Sequence, residues 1–383
     1  MLIVEDLKMR FVFLVGLVVW LSPVAMLSAQ SSDDPVWELM HQEPNASLRG
    51  LFVLDANVVW ASGTNGTVIH TVDQGQTWKV QRLAGAEKLD IRDLHVFDEE
   101  NILAMTSGTP ARLYRSADTG ATWKIVYEST DPQVFLDSVS FLNDATGLVM
   151  GDPINGQLFL LHTNDSGWTW EQVLATPKLE SGEAGFAASG TNMTTLGGDH
   201  WAIGLGGDLP AEQTDQANSE GGLDQNIENR PLRYSRVVIV DSQLKDWRIS
   251  KTPVRRHESG GIFSLVFLDS KVGVAVGGDY KQPDVSQDHI SVTNDGGETW
   301  TVPNSEHSPS GFRSCVAIWK PENSKPQLIA VGTNGTDRST DLGQTWLRVS
   351  DLGFNAVQFS PDGRIGWAAS SDGRIAKWRK TGD

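Results

Sequence analysis

The 383-residue chain has one cysteine, Cys315, so no intrachain disulfide can form. In an oxidising compartment cohesion must then come from a large apolar core. No partner histidine is identifiable for the thiol, and it reads as a buried group within a strand. Positive charge is also scarce: 31 Lys and Arg stand against 48 Asp and Glu, a formal charge of −17. Nucleic acid and anionic lipid are poor partners for such a surface. There is no P-loop, no G-x-G-x-x-G between a strand and a helix, no zinc spacing of His and Cys, and no calcium-loop spacing. Neither a cofactor nor a metal is expected. A membrane-length apolar run is missing as well. The run Phe11 to Leu21 falls short of the ~20 residues a span needs, and Pro23 interrupts the segment beyond it. Lys8 and Arg10 precede the run, and the small residues Ser28 and Ala29 come after it. This pattern predicts a signal peptide over 1–29, a secreted or periplasmic protein, and no membrane span in the mature chain.

What is abundant is repetition. The pattern S/T-x-D-x-G-x-T-W occurs five times: Thr71 to Trp78, Ser116 to Trp123, Thr163 to Trp170, Thr293 to Trp300 and Ser339 to Trp346. A degenerate copy survives as Val240-Asp241 with Trp247. Successive tryptophans are 45, 47, 77, 53 and 46 residues apart, the period of a four-stranded propeller blade with one long insertion. Each repeat opens on an alternating apolar stretch such as Val139 to Leu142, followed by a second strand ending in small residues such as Leu148 to Gly151. A third strand leads into the motif, which reads as a hairpin loop. Its Asp (Asp73, Asp118, Asp165, Asp295, Asp341) accepts backbone N–H bonds and its Gly takes positive φ. Its Trp (Trp78, Trp123, Trp170, Trp300, Trp346) starts the outer strand and packs against its blade. These residues read as structural.

After Trp346 the chain supplies only three strands, around Phe354 to Phe359, Gly366 to Ala369 and Gly373 to Lys377. Val36 to Leu39 resembles a fourth strand with no strands of its own before it. The expected fold is therefore all-β: a seven-bladed β-propeller of four-stranded antiparallel blades, its last blade closed by the N-terminal strand. Residues 30–383 form one domain, expected to be monomeric, with an acidic loop insertion at about 207–231 that overhangs one face.

In a propeller the first strands line the central channel, and the loops entering them share a face with the loops after the second strands. Aligning first strands places Arg49, Arg92, Asp137, Phe263, Arg313 and Asn355 near that opening. Second-strand ends add Asp152, Asp208, Asp279 and Thr333, and neighbouring loops add Glu183, Glu258 and Tyr280. The expected ligand-binding set is Arg49, Arg92, Asp137, Asp152, Glu183, Glu258, Asp279, Tyr280 and Arg313, a ring of mixed charge suited to a polar ligand or an extended peptide. The segments around Gly151-Asp152-Pro153, Phe186 to Asn192 and Gly277 to Tyr280 are less interchangeable than simple repeats require. No catalytic residue is assigned.

With five Asp-box motifs, a shared last blade and blade starts such as Ser259 to Ser264, the chain resembles secreted Asp-box (BNR-like) propellers related to the photosystem II stability and assembly factor family. The resemblance covers nearly all of the mature chain. It implies an exported, non-catalytic binding or assembly scaffold whose ring of loops grips a partner protein or a polar or glycan ligand. The strongly acidic surface departs from the basic patch expected of photosynthetic members and points to a different partner. Asp boxes also occur in sialidases, so the alternative is a glycoside hydrolase that draws an acid and a nucleophile or base from Asp137, Asp152, Glu183, Glu258 and Asp279. The seven blades and the lack of an early Arg-Ile-Pro speak against a sialidase.

Overall fold

The computed structural model describes residues 35–208, 232–303 and 307–380. The predicted signal peptide and the centre of the acidic insertion lie outside these residues.

Seven antiparallel sheets succeed one another along the chain. Blade one comprises β2 (Leu48–Val53), β3 (Val59–Gly63), β4 (Thr67–Thr71) and β5 (Lys79–Arg82). Blade two comprises β6 (Asp90–Val96), β7 (Asn101–Ser107), β8 (Ala111–Ala117) and β9 (Lys124–Ser129). Blade three is β10 (Leu136–Phe141), β11 (Gly147–Ile154), β12 (Gln157–Thr163) and β13 (Glu171–Gln172). Blade four is β14 (Met193–Leu196), β15 (His200–Gly204), β16 (Tyr234–Asp241) and β17 (Trp247–Arg255). In blade five, β18 (Gly260–Phe267), β19 (Gly273–Asp279) and β20 (Ile290–Thr293) are completed by a single bridge from Val292 to Thr301. Blade six is β21 (Cys315–Trp319), β22 (Gln327–Gly332), β23 (Gly335–Ser339) and β24 (Leu347–Ser350).

Composition tracks position within a blade. The second and third strands are covered on both sheet faces by neighbouring blades, so β3 and β4 are buried at every residue. The outer strand β5, Lys-Val-Gln-Arg, is almost wholly exposed. The apolar core is correspondingly divided into clusters that lie between blades. Trp60 of blade one packs with Ile91, Ile102 and Tyr114 of blade two, for example, and Leu148 of blade three with Trp201 and Val238 of blade four. Cys315 is fully buried in one such cluster, as expected, and burial pushes its thiol pKa up.

Blade seven closes the ring. Its strands β25 (Ala356–Phe359), β26 (Gly366–Ala369) and β27 (Arg374–Lys380) are completed by β1 (Pro35–Gln42), which pairs antiparallel with β27. Trp37 stands opposite Trp378, with ring centroids 4.7 Å apart, and lies 4.9 Å from the ring of Phe354. Its indole N–H donates to Thr336 Oγ1 at 3.0 Å, which ties the closing strand to blade six as well.

The five Asp-box turns repeat one set of Asp, Ser/Thr and Gly bonds, and in four of them the Trp indole also donates to the Gly carbonyl, whereas Trp300 donates to Ser250 Oγ. In the first, the Thr71 hydroxyl donates to Asp73 Oδ1 (2.8 Å), and Asp73 accepts from Thr77 N–H (2.9 Å) and the Thr77 hydroxyl (2.6 Å). Gly75 N–H donates to Thr71 Oγ1, and the Trp78 indole to Gly75 O. These donors lower the Asp73 pKa to about 2. The motif does not simply lie against its own blade. A Cβ on Gly75 would stand 2.5 Å from Trp367 of blade seven, and one on Gly120 would stand 2.9 Å from Trp60 of blade one. At Gly343 it would stand 2.7 Å from Val274 of blade five. Each of these turns thus presses into the blade before it, and positive φ is only one reason that glycine is required.

Candidate functional site

A cavity of about 550 Å³ lies where the first strands converge. Its wall includes Arg49 from blade one, Arg92 from blade two, Asp137 and Asp152 from blade three, and Phe263 and Tyr280 from blade five. Blade six adds Phe312, Ser314 and Thr333, blade seven adds Asn355 and Ser371, and the connection into blade four adds Gly185, Phe186, Ala187 and Ala188.

A repeated backbone device points these side chains inward. The first strands of blades one, two, three and five each carry a register shift at one position, and the residues skipped there are Arg49, Arg92, Asp137 and Phe263. A β-bulge leaves its extra residue outside the ladder and re-aims its side chain, here toward the channel. The small residue ending each second strand makes room for the first. A Cβ on Gly63, Gly151, Gly277 or Gly332 would fall within 2.4 Å of the carbonyl of Ser47, Phe135, Gly261 or Phe312 respectively.

Charge is distributed unevenly around the opening. Arg49 and Arg92 form one side. Arg92 Nε donates to Asp90 at 2.6 Å and its Nη1 to Ala187 O, whereas Arg49 Nε is buried with no hydrogen-bond partner. Burial first, and the Arg92 charge second, lower the Arg49 pKa. Asp137 and Asp152 stand beside them. Asp137 is 1% exposed, and its Oδ2 and Asp152 Oδ1 are buried without partners. Burial, and then the neighbouring Asp152 charge, push the Asp137 pKa well up; burial raises that of Asp152 to about 6 against the opposing Gly185 N–H. The far side is aromatic. Phe186 stacks on Phe263 at 4.0 Å and 11°, and Phe312 meets Phe263 edge-on at 4.7 Å.

Five of the nine expected ligand-binding residues, Arg49, Arg92, Asp137, Asp152 and Tyr280, therefore line one cavity. The structure corrects the placement of the other four. Arg313 is offset by one residue. Phe312 meets Gly332 as Ser47 meets Gly63, so Ser314 is the counterpart of Arg49 and Arg313 that of the buried Leu48. A one-residue slip exchanges the two faces of a strand. Arg313 accordingly turns into the protein, donating to Asp337 Oδ2 (2.7 Å), Asn334 Oδ1 (2.7 Å) and Ser310 Oγ (2.7 Å). Glu183 is buried in an ion cluster with Arg236 (2.7 Å) and Arg256 (3.5 Å), which anchors the connection carrying Phe186. Asp279 accepts from Ser259 Oγ, Lys281 N and Gln282 Nε2 beside a separate hollow of about 240 Å³. Glu258 is exposed and reaches only Lys281, at 3.4 Å. The aromatic residues Phe135, Phe186 and Phe312, together with Ser314 and Ser371, were not in the expected set. The glycine ending the second strand was the signal that would have set the blade-six register.

The arrangement provides donors, acceptors and an aromatic surface at one mouth. Among the described residues no three His, Cys, Asp or Glu side chains converge as a metal site. Of the five carboxylates considered for glycoside hydrolysis, only Asp137 and Asp152 reach the cavity, which does not favour that reading.

The family model for photosynthesis system II assembly factor YCF48 matches residues 87–379. Comparison with curated proteins finds no match. Among solved structures, YCF48 bound to a D1 peptide is 16% identical, with 90% of this chain and 96% of that chain covered and a TM-score of 0.59. YCF48 from Cyanidioschyzon merolae is also 16% identical, covers 90% and 98%, and has a TM-score of 0.59. The Neurospora crassa Pan2 WD40 domain reaches a TM-score of 0.60 at 12% identity, over 92% and 97%. At such identities the likeness is one of fold.

Proposed function

This chain belongs to the photosynthesis system II assembly factor YCF48 family, and from that premise we propose that it is an exported, non-catalytic scaffold that holds a polypeptide segment of a partner protein at the central cavity. One observation carries the seat of binding. Side chains from around the whole ring meet there, and three buried polar atoms, Arg49 Nε, Asp137 Oδ2 and Asp152 Oδ1, have no hydrogen-bond partner among the described residues. Buried polar groups are ordinarily satisfied, so orphaned donors and acceptors in one cavity suit a ligand that brings both. A peptide backbone does so, and the aromatic side gives its side chains a place to pack. That a YCF48 has been obtained with a D1 peptide bound supports peptide as the ligand class. The acidic surface favours a partner segment of a different charge character.

A photo-crosslinking amino acid at Tyr280, 48% exposed at the cavity, tests the reading in the native envelope. A discrete polypeptide adduct is expected there and not from the same group at Leu347 on an outer strand, 62% exposed. Equal labelling from both positions, or a glycan adduct alone, would overturn it.

A further inference from the structure

We infer that the carboxylate side of this cavity is a receptor for an ammonium group, held between Asp137 and Asp152 on one side and the aromatic wall on the other. The inference rests on the cavity being the binding site and specifies the chemistry of one part of it.

The order of side chains around the opening carries the argument. Arg49 and Arg92 come from blades one and two, the carboxylates from blade three, Phe186 from the next connection and Phe263 from blade five. The acids therefore lie between arginine and aromatic sectors. Of the two arginines, Arg92 is the nearer in this order, and it already donates to Asp90 and to Ala187 O. The buried Asp137 and the half-buried Asp152 thus depend on a guanidinium committed elsewhere, and the pair is short of positive charge. Both acids retain an unpartnered oxygen, and Asp137 is almost fully enclosed. Gly185 runs directly against them, since a Cβ there would stand 2.5 Å from Asp137 Oδ2, and the very next residue is Phe186.

An ammonium group answers each feature. It carries three N–H donors for the two orphaned acceptors, and the Phe186 and Phe263 rings offer it a cation–π surface. A calcium ion would need six or more oxygens, and among the described residues only Asp137 and Asp152 bring carboxylates to the cavity. Burial, and then the neighbouring Asp152 charge, favour the protonated form of Asp137, a cost that a bound cation would offset. A lysine side chain of the partner segment is the natural occupant, its backbone carbonyls facing the unpartnered Arg49 Nε.

The probe is n-butylammonium, with n-butanol as its uncharged counterpart, titrated into the full chain carrying fluorotyrosine at Tyr280 and monitored by ¹⁹F NMR. Saturable binding of the ammonium, at least about tenfold tighter than the alcohol, is expected at pH 7.5. Asp152→Asn should abolish that preference while the fold survives, since it removes a repelled charge. Phe263→Leu should weaken binding of both probes. The charged groups lining the cavity are Arg49, Arg92, Asp137 and Asp152, with Asp90 behind Arg92. Burial raises the Asp152 pKa to about 6, so affinity should fall as pH drops through that value, where Asp152 takes up its proton. Equal binding of alcohol and ammonium, or an Asp152→Asn protein that keeps the preference, would overturn the inference. A Tyr280 adduct without ammonium preference would retain the partner site and reject this chemistry. Ammonium preference without an adduct would do the reverse.

Discussion

Trp37→Ala is the most direct probe of ring closure. The side chain is 8% exposed, packs on Phe354 and Trp378, and donates to Thr336 Oγ1. Truncating a buried Trp or Phe to Ala costs about 3–5 kcal/mol, and the lost hydrogen bond adds about 1 kcal/mol. Thr336 Oγ1 keeps its own bond to Leu352 O at 3.1 Å, so no hydroxyl donor is orphaned and the total stays near 5 kcal/mol. With 320 described residues and an unfolding entropy of about 2.1 cal/mol/K for each, 1 kcal/mol shifts Tm by about 1.5 °C. The expected loss is therefore about 7 °C by calorimetry, with faster exchange of the β27 amides that face β1. Leu39→Ala lies in the same strand at 56% exposure and should move Tm by less than about 1.5 °C. A Trp37→Ala protein that melts within about 1 °C of the parent would refute the view that β1 holds the ring shut.

Arg313→Met should cost about 3–5 kcal/mol, because Asp337 is left as a buried, unpaired charge; Asp337→Asn in the same chain should recover much of the loss. If Arg313→Met instead abolished crosslinking from Tyr280 with Tm unchanged, its structural assignment would be wrong. Asp295→Ala should cost about 1 kcal/mol, since Thr299 N–H loses its acceptor in an exposed turn, and should leave cavity binding intact when both are measured side by side. Asp93 in β6 is buried, accepting from Leu94 N–H and Val139 N–H, and burial raises its pKa to about 7. A raised carboxyl pKa stabilises the native state fully below the unfolded value near 3.8, and that contribution is lost as pH rises through 7. Between pH 4 and 8 the stability of the parent relative to Asp93→Asn should accordingly fall by up to about 4 kcal/mol. A constant difference in urea midpoints across that range would contradict the assignment.

Much of this architecture was legible because it is written locally and repeatedly. Five S/T-x-D-x-G-x-T-W turns mark the hairpin between third and fourth strands, and the count of strands after Trp346 left one place for Val36 to Leu39. The cavity was legible where a bulge keeps a common frame, as at Arg49, Arg92 and Asp137. It failed at Arg313, where a shift of one position exchanges channel for interior. Glu183 and Asp279 were misplaced for another reason. A carboxylate in a loop has the same sequence whether it faces a ligand or, as Glu183 does, pairs with Arg236 from a strand 53 residues away. Of the aromatic wall, Phe263 is legible from the first-strand alignment, whereas Phe135 and Phe312 sit in connections that only the packed ring brings to it.

The pairing of β1 with β27 also orders events in time. As the chain is synthesised, β1 must wait for β27, and until then blade seven lacks its outer strand and blades one and seven face solvent where they should face each other. Loop closure over the whole chain makes this the slowest contact to form. The cavity shares that fate, because Arg49 and Asn355 become neighbours across the seam, where the Asn355 amide donates to Leu48 O. A chain still being synthesised therefore lacks a completed cavity until β27 has joined β1.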